Sequence, residues 1–345
     1  MRSDIMTTAI KYQSDFNEHI NFIKKEYPNI SEAINFDKVE ELIKFIVENN
    51  LEVTDFETEF EDTRGSSYIK AQEEVLVRSK GIEGIMKLFS EDSMEKLCEK
   101  TILDLLGGNG LIFKVVQTLF PTSYRPSIIT SDISKGMIDN ALNNNILAIR
   151  QPAQKLLFKD DSVEGVLLAY GTHHIPKNQR LETVCEAKRV LKKGGKLIIH
   201  DFEEGGPVAR WFSDVVHPFS LTGHDFPHFN KEELEQYFYE SDFKEYKIEY
   251  LYDPFILIGE TEKEVKNKFT DYLLNMYGLE KLIDLYPNNM SNEKLFEKAE
   301  EIFKYNYEDL NLYSDFGKEK ITITLNNNKF HLEMPRVAIV GIGVK

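Results

Sequence analysis

Histidine, phenol and carboxylate side chains follow two apolar segments in patterns that suit acid–base chemistry. Tyr170, His173 and His174 come after the run VEGVLLA, and Asp201 and Glu203 come at the end of KLIIHDFE. Histidine is the side chain whose ordinary pKa suits proton removal near neutral pH. We predict His173, Tyr170 and Asp201 as catalytic residues, with His173 as a substrate-facing base. A structural role, in which both histidines only hydrogen-bond their loop, stays open.

A glycine-rich turn follows a short apolar run at Thr101–Gly110, which reads TILDLLGGNG. The apolar residues suit a strand that is covered on both faces. Gly107, Gly108 and Gly110 lack a Cβ, so the turn can take positive φ and a ligand can approach the bare main chain. Leu111–Phe120 then predicts a helix whose free N–H groups point back at the turn.

Strands and helices alternate after this turn. Ser127–Ser131 is a second apolar strand that ends at Asp132, and Ser134–Ala141 begins the next helix. Val163–Tyr170 and Val190–Phe202 continue the alternation. This pattern predicts a parallel sheet with ligands at the carboxyl ends of its strands. An acid about 20 residues beyond the glycines is placed to accept the two ribose hydroxyls of a nucleoside.

As a set, these segments resemble the class I S-adenosylmethionine-dependent methyltransferases, in particular those acting on small molecules, over roughly residues 99–260. LDLLGGNG resembles the motif that holds the methionine part of the cofactor, and ITSDISKGMIDNA resembles the ribose motif. AQKLLFKDDSVEGVLLAYGTHHIP resembles the segment that passes the adenine and opens into the active site, and VLKKGGKLIIHDF resembles the fifth-strand motif. The resemblance implies S-adenosyl-L-methionine as cofactor, with contacts from Asp104, Gly107, Gly108, Gly110, Asp132, Ile133, Gln151, Ala153, Gln154 and Tyr170.

The chain departs from the family pattern at two positions. Leu106 stands where the family usually has glycine or alanine, so the first tight turn must be made differently. Pro152 stands where the family often has an acid that holds the adenine amino group. The amide groups of Gln151 and Gln154 and the backbone N–H of Ala153 are the available substitutes.

The resemblance implies an α/β fold with a doubly wound, mostly parallel seven-stranded sheet and an antiparallel last strand. We expect an N-terminal helical cap or lid at 1–98, a cofactor-binding core at 99–260, a helical insertion at 261–317, and C-terminal strands at 318–345 that complete the core sheet. The cap either closes over the site or only packs on the sheet. The insertion either roofs the substrate site or forms a dimer contact.

The composition and charge of the chain limit the classes of molecule with which the protein is expected to interact. The 345 residues carry a net charge of −16 with no basic stripe, which argues against a nucleic-acid substrate. The two cysteines lack metal-type spacing and are expected to be reduced thiols. No apolar run approaches the length of a membrane span, and no signal-peptide pattern begins the chain. We therefore expect a cytoplasmic protein with a small-molecule substrate and no membrane partner; a homodimer is left open.

The segment from His217 to Phe229 is unusually rich in histidine and phenylalanine. His217, His224 and His228 with a nearby carboxylate could bind a divalent metal. Gly223 and Pro227 break the helical geometry that would place ligands on one face, so we expect no metal site. A substrate-contacting loop and a purely structural loop both stay open. The expected substrate-binding residues are His174, Glu203, His217, His224, His228, Tyr68 and Arg64.

The resulting hypothesis is an S-adenosylmethionine-dependent methyltransferase that acts on a small molecule in specialised metabolism. The attacking atom, whether oxygen, nitrogen or carbon, is left open. One alternative keeps the cofactor but cyclises its aminobutyrate arm, which gives methylthioadenosine and a small cyclic amino acid such as azetidine-2-carboxylate. A second alternative, favoured by Leu106 and Pro152, is a non-catalytic cofactor-binding subunit.

Overall fold

A central sheet carries the residues singled out above. The computed structural model describes residues 2–51, 64–90, 93–286 and 290–345, with the side chains of residues 2–13 and Arg64 left out of the description. The strands of this described part are β1 (Thr101–Leu105), β2 (Ser127–Asp132), β3 (Ala148–Arg150), β4 (Val163–Ala169), β5 (Leu191–Phe202), β6 (Glu245–Tyr252), β7 (Phe255–Gly259), β8 (Thr322–Asn326), β9 (Lys329–Met334) and β10 (Val337–Val344).

Seven of the described strands form the central sheet, in the order β3-β2-β1-β4-β5-β10-β6. The pairs among β1 to β5 are parallel, whereas β10 runs antiparallel to both β5 and β6. The order reverses between β1 and β4, so the loops that follow these two strands diverge and leave a crevice at their carboxyl ends. The predicted doubly wound, mostly parallel sheet with an antiparallel last strand is confirmed.

Helices cover both faces of the sheet and bury an apolar core on each side. Within the described ranges, no helix combines the length and apolar character needed to cross a bilayer. The helices are α1 (Arg2–Glu26), α2 (Pro28–Ser31), α3 (Val39–Glu48), α4 (Arg64–Ala71), α5 (Ser79–Ser90), α6 (Leu111–Leu119), α7 (Lys135–Asn143), α8 (Lys177–Val190), α9 (Pro207–Trp211), α10 (His217–Phe219), α11 (Lys231–Glu240), α12 (Glu262–Tyr277), α13 (Glu280–Leu285) and α14 (Met290–Ile302).

The C-terminal strands differ from the expectation that residues 318–345 complete the core sheet. Only β10 joins that sheet, while β8 and β9 pair with β7 in a separate sheet of the described chain, in the order β7-β9-β8. Asn327 and Asn328 take positive φ in the turn between Asn326 and Lys329, which closes β8 and β9 into a hairpin. The register of Phe255 with Met334 then adds β7. The insertion between β6 and β10 therefore contains strands as well as helices.

The N-terminal residues divide between the two faces of the sheet. Apolar residues of α1 and α3 join the core on one face, and those of α5 join the core on the other face. This packing follows from their helical spacing, because residues three and four apart share one side of a helix. The residues concerned are Phe16, Ile20, Ile23, Leu42 and Ile46 on one face and Ile82, Ile85, Met86 and Phe89 on the other.

A half-buried histidine docks α1 against β3. The Nε2 atom of His19 accepts a hydrogen bond from the Arg150 backbone N–H at 3.0 Å. Burial, together with the charge of Arg150, lowers the pKa of His19 to about 4. The unfolded chain therefore takes up a proton near the ordinary histidine pKa of about 6.5, whereas the folded chain does so only near pH 4. The stability contributed by neutral His19 is present above this window and is lost as the pH falls through it.

We expect His19→Gln to remove part of the acid sensitivity of the fold. Wild type should lose up to about 3 kcal/mol of its free energy of unfolding through this group between about pH 6.5 and pH 4. The measurement is urea unfolding at a series of pH values, with His331→Gln on β9 as the matched control. Equal pH dependence in wild type and His19→Gln would contradict the assignment.

Candidate active site

A cavity of about 380 Å³ opens at the carboxyl ends of the parallel strands. Its volume lies within the range of about 300–1,000 Å³ that is typical of small-molecule sites. The residues that line it include, after β1, Leu106 and Gly108; at the end of β2, Asp132 and Ile133; after β4, Tyr170, Gly171, His173 and His174; and at the end of β5, Phe202.

Gly108 presents bare main chain to this cavity. Its φ is +54°, and a Cβ built on it would meet no atom within 4 Å. The two other glycines of the turn instead allow close packing inside the protein. A Cβ on Gly107 would lie 2.7 Å from Asp104 Oδ2, and one on Gly110 would lie 2.9 Å from Ile146 Cδ1. Among the predicted cofactor-binding glycines, Gly108 faces the cavity, while Gly107 and Gly110 shape the turn.

Asp104 lies beneath the turn and does not line the cavity, contrary to its expected contact with the cofactor. Its side chain is only 1% exposed because it points from β1 into the protein. Burial, and then the nearby charge of Asp132, raise the pKa of Asp104 well above its usual range. Asp104 therefore packs against Gly107 from inside the protein and not at the cavity.

Two backbone donors fix Asp132 at the wall of the cavity. Its Oδ2 accepts the Gly108 N–H at 2.9 Å, and its Oδ1 accepts the Ser134 N–H at 2.9 Å. Ser134 also starts α7, because its hydroxyl accepts the Met137 N–H. The half-buried carboxylate is thus held in one orientation at the cavity wall.

Leu106 and Tyr170 both adopt left-handed backbone conformations, with φ of +61° and +63°. They follow β1 and β4 respectively, and both line the cavity. Such conformations are strained for residues with a Cβ, and they tend to occur where the surrounding structure fixes a functional site. The first tight turn is therefore made with a leucine in the conformation that glycine would adopt at lower cost.

Only some of the residues that were expected to contact adenine line the cavity. Ile133, Ala153 and Gln154 line it, and Gln154 Nε2 donates to Gln179 Oε1 at 2.7 Å. Gln151 does not line it, because its buried side chain turns inward and its Oε1 accepts the Leu157 N–H at 2.8 Å. Gln151 therefore holds the loop after β3.

Asp201 orients His173 at the cavity wall. The Nδ1–H of His173 faces the two Asp201 oxygens at 2.9 and 3.0 Å, and the His173 backbone N–H donates to Oδ2 at 2.8 Å. Although burial alone would raise it, the contacts with His173 and His228 hold the pKa of Asp201 well below its usual range. The carboxylate stays charged and leaves His173 Nε2 as the ring nitrogen toward His224, 3.2 Å away. Asp201 itself does not line the cavity and acts through His173.

The histidine-rich loop reaches the cavity through His224 and Phe226. The His224 ring stacks on Phe212, with centroids 4.1 Å apart. Phe212 begins a π-helical turn, Phe212–Val216, that continues α9. The other two histidines do not line the cavity: His217 Nδ1 accepts the His224 N–H at 3.1 Å, and the His228 N–H donates to Glu204 at 2.9 Å. They hold the loop that positions His224.

Ligand-type atoms of three histidines do come close together in the described part of the chain. Those of His173, His174 and His224 lie within 4.8 Å of one another, as do those of His173, Asp201 and His228. These residues come from separate loops, so helical spacing is not needed to bring them together. The expectation of no metal site stays a prediction.

The remaining expected substrate residues are dispersed. Tyr68 lines the cavity, and the Arg64 side chain lies outside the described residues. Glu203 lines a separate cavity of about 180 Å³ and accepts the Tyr250 hydroxyl at 2.7 Å. The far end of Glu203 is therefore engaged away from the main cavity.

A buried charged network at the floor of the cavity was not predicted from the sequence. Asp253 Oδ2 pairs with Arg336 Nη2 at 2.6 Å and lies 3.4 Å from His200 Nε2. The Tyr170 hydroxyl donates to Asp253 Oδ1 at 3.1 Å. Burial, and then the Asp253 charge, raise the pKa of Tyr170 well above its usual range, so its phenol stays protonated. Arg78 completes the floor.

Two glycines of α5 allow a test of this network. A Cβ on Gly81 would overlap Asp253 Oδ1, whereas one on Gly84 would lie 2.8 Å from Leu251 Cδ1, the mobile end of an aliphatic side chain. We expect Gly81→Ala to lower the free energy of unfolding by about 1–3 kcal/mol, since it must displace a buried charge. Gly84→Ala should stay within about 1 kcal/mol of wild type, because alanine favours helix. Chemical denaturation compares the two; equal losses would contradict the role of Gly81.

Part of the sequence is similar to that of known methyltransferases. Residues 103–199 match a family described as a methyltransferase domain. The ubiquinone/menaquinone biosynthesis C-methyltransferase UbiE of Hahella chejuensis is 29% identical over 135 residues, which are 36% of this chain and 52% of that protein. The UbiE protein of Pseudomonas putida is 27% identical over 155 residues, 42% of this chain and 58% of that protein. The chain thus spans little more than half the length of these relatives.

Solved structures share the fold. Phosphoethanolamine N-methyltransferase 2 of Haemonchus contortus, in complex with S-adenosyl-L-methionine, aligns over 85% of this chain and 60% of its own length. The sequence identity is 15% and the TM-score is 0.50. A likeness at this identity concerns the arrangement of the sheet and helices and leaves the reaction open.

Proposed function

We propose that this chain is a class I S-adenosylmethionine-dependent methyltransferase and that it methylates a small-molecule acceptor. The proposal places this reaction in specialised metabolism and in the cytoplasm. The observation that carries it is the joint placement of Gly108 and Asp132 at one cavity, after β1 and at the end of β2. These two positions are those at which the family holds the methionine and ribose parts of its cofactor.

The residues present fit such a cofactor. The open space above Gly108 leaves room for a ligand against the main chain, and Asp132 offers oriented carboxylate oxygens beside it. Ile133, Ala153 and Gln154 would bound the adenine. When bound, S-adenosyl-L-methionine supplies an electrophilic methyl group, and the protein mainly has to align the reactants and exclude water.

His173 is the proposed base for an acceptor that arrives protonated. Asp201 takes the Nδ1–H of its ring, so Nε2, which faces His224 Nε2 at 3.2 Å, is the acceptor nitrogen of the ring. Tyr170 is a less suitable base because its phenol is kept protonated and donates to Asp253. We propose that Tyr170 positions other groups. The attacking atom of the acceptor is not assigned.

The apolar and aromatic lining supports a small, partly planar acceptor. Phe202, Phe212 and Phe226 line the cavity together with His224. A cavity of about 380 Å³ also has the size of a small-molecule site. The net charge of −16 also disfavours nucleic acid.

Replacing Asp132 should weaken nucleoside binding. Loss of hydrogen bonds to a charged acceptor costs about 2–3 kcal/mol, so Asp132→Ala should bind S-adenosylhomocysteine roughly 30- to 150-fold more weakly by isothermal titration. Asp132→Asn keeps the shape of the side chain and should show an intermediate loss. The control is Asp160→Ala, which removes a surface carboxylate. Unchanged affinity of Asp132→Ala, with its fold verified by circular dichroism, would reject the ribose assignment.

Product analysis tests the reaction itself. Incubated with S-adenosyl-L-methionine and a library of small acceptors, the protein should release S-adenosylhomocysteine only when an acceptor is present. Chromatography with mass detection separates this product from methylthioadenosine. Methylthioadenosine formed without any acceptor would instead support the cyclase alternative. Cofactor binding without either product would support a non-catalytic subunit.

A further inference from the structure

Arg78 is a buried cation without a carboxylate partner. It ends the 3₁₀ turn Val75–Arg78 that leads into α5, and its side chain is 6% exposed while it lines the cavity. Its Nη2 donates to Met276 Sδ at 3.0 Å, which is a weak acceptor, and its Nε has no hydrogen-bond partner. Among the described residues, no Asp or Glu side chain forms an ion pair with it.

The Asp253 carboxylate of this network already has two partners. Asp253 is paired with Arg336 at 2.6 Å and also accepts the Tyr170 hydroxyl. Two buried guanidinium groups, Arg78 and Arg336, therefore share the floor with one carboxylate. A buried charge is costly unless it is paired, so the protein alone leaves a positive charge at the cavity that an anion would compensate.

Aromatic rings restrain the guanidinium without neutralising it. The Arg78 Cζ lies 4.7 Å from the centre of the Tyr170 ring and 5.5 Å from that of Phe255. Attraction of a cation to ring faces holds the side chain in place at modest energy. A guanidinium restrained in this way, with its Nε–H left without a hydrogen-bond partner, can bind a carboxylate through two parallel hydrogen bonds.

We propose that Arg78 forms a carboxylate-binding subsite at the floor of this cavity. Two sources supply that chemistry: the amino-acid arm of the cofactor and a carboxylate on the acceptor. The subsite deepens the proposed function, because either source places the reacting molecules between Arg78 and Asp132 in one cavity. It was not among the residues expected from the sequence.

The first experiment compares two nucleosides that differ in the arm. S-adenosylhomocysteine carries the carboxylate and methylthioadenosine lacks it, so the ratio of their affinities reports on the subsite. If the cofactor arm is the source, Arg78→Met should reduce this ratio by about 10- to 100-fold, with little change in methylthioadenosine binding. Arg78→Lys, which keeps the charge but not the planar fork, should fall between. Arg210→Met removes an exposed arginine and serves as the control.

The second experiment tests the acceptor as the source. Benzoate and benzamide are titrated, by ligand-observed NMR, into free protein and into protein saturated with S-adenosylhomocysteine. Binding of benzoate but not benzamide, abolished in Arg78→Met and retained in Arg210→Met, would assign the subsite to the acceptor. An unchanged nucleoside ratio together with no Arg78-dependent benzoate binding overturns the proposal.

A stability measurement separates a binding role from a structural one. Without ligand, Arg78→Met should have a Tm equal to or above that of wild type, since it removes an uncompensated buried charge. A large fall in Tm in both Arg78→Met and Arg78→Lys would show that the side chain instead supports the fold and would overturn the proposal. If the wild type binds neither nucleoside, the proposed function is wrong. Benzoate binding to the free protein would then still show whether Arg78 forms a carboxylate subsite.

Discussion

The Asp132 carboxylate ties together the ends of β1 and β2, and the cavity depends on this tie. By accepting the N–H groups of Gly108 and Ser134, it fixes the glycine-rich turn and the start of α7 against each other. A rigid turn is what leaves the space above Gly108 open. The strained backbone of Leu106 persists next to this turn, as expected where neighbouring contacts over-determine a conformation.

Three buried carboxyl groups near the cavity are kept in different states by their surroundings. Burial, and then the charge of Asp132, raise the pKa of Asp104 well above its usual range. Asp201 is held charged by two histidines, and Asp253 is paired with Arg336. The same residue type thus packs beneath a turn, orients an imidazole and pairs with a guanidinium. The physical difference lies in which partner the fold brings to each carboxyl group.

The parts of the site that follow local rules were predictable from the sequence. The glycine-rich turn and Asp132 belong to one β-α-β unit, where spacing along the chain determines position in space. The roles of individual residues within the motifs were less accessible, because Asp104, Gly107 and Gln151 differ from their neighbours only in the direction in which each points.

Contacts between distant segments could not be predicted in this way. Arg78, Asp253 and Arg336 each look like ordinary charged residues along the chain, and only the pairing of β6 with β10 brings the last two together. The separate sheet of β7, β8 and β9 was not predicted from the sequence, for a related reason. Alternating strands at the end of a chain can join either of two sheets, and the register of β7 with β9 decides which.

The two ends of the segment between β6 and β10 meet in space, since Tyr252 and Val337 are partners in the sheet. A short loop could join these strands without disturbing their register, so the intervening chain is a graft on a complete α/β scaffold. Yet this graft carries Met276, Tyr277 and Arg336 to the cavity, and its Asp253 pairs with Arg336. Exchange of the graft between related scaffolds would change one part of the cavity wall while leaving the Gly108–Asp132 edge intact, so a single recombination event could alter which molecules the cavity fits.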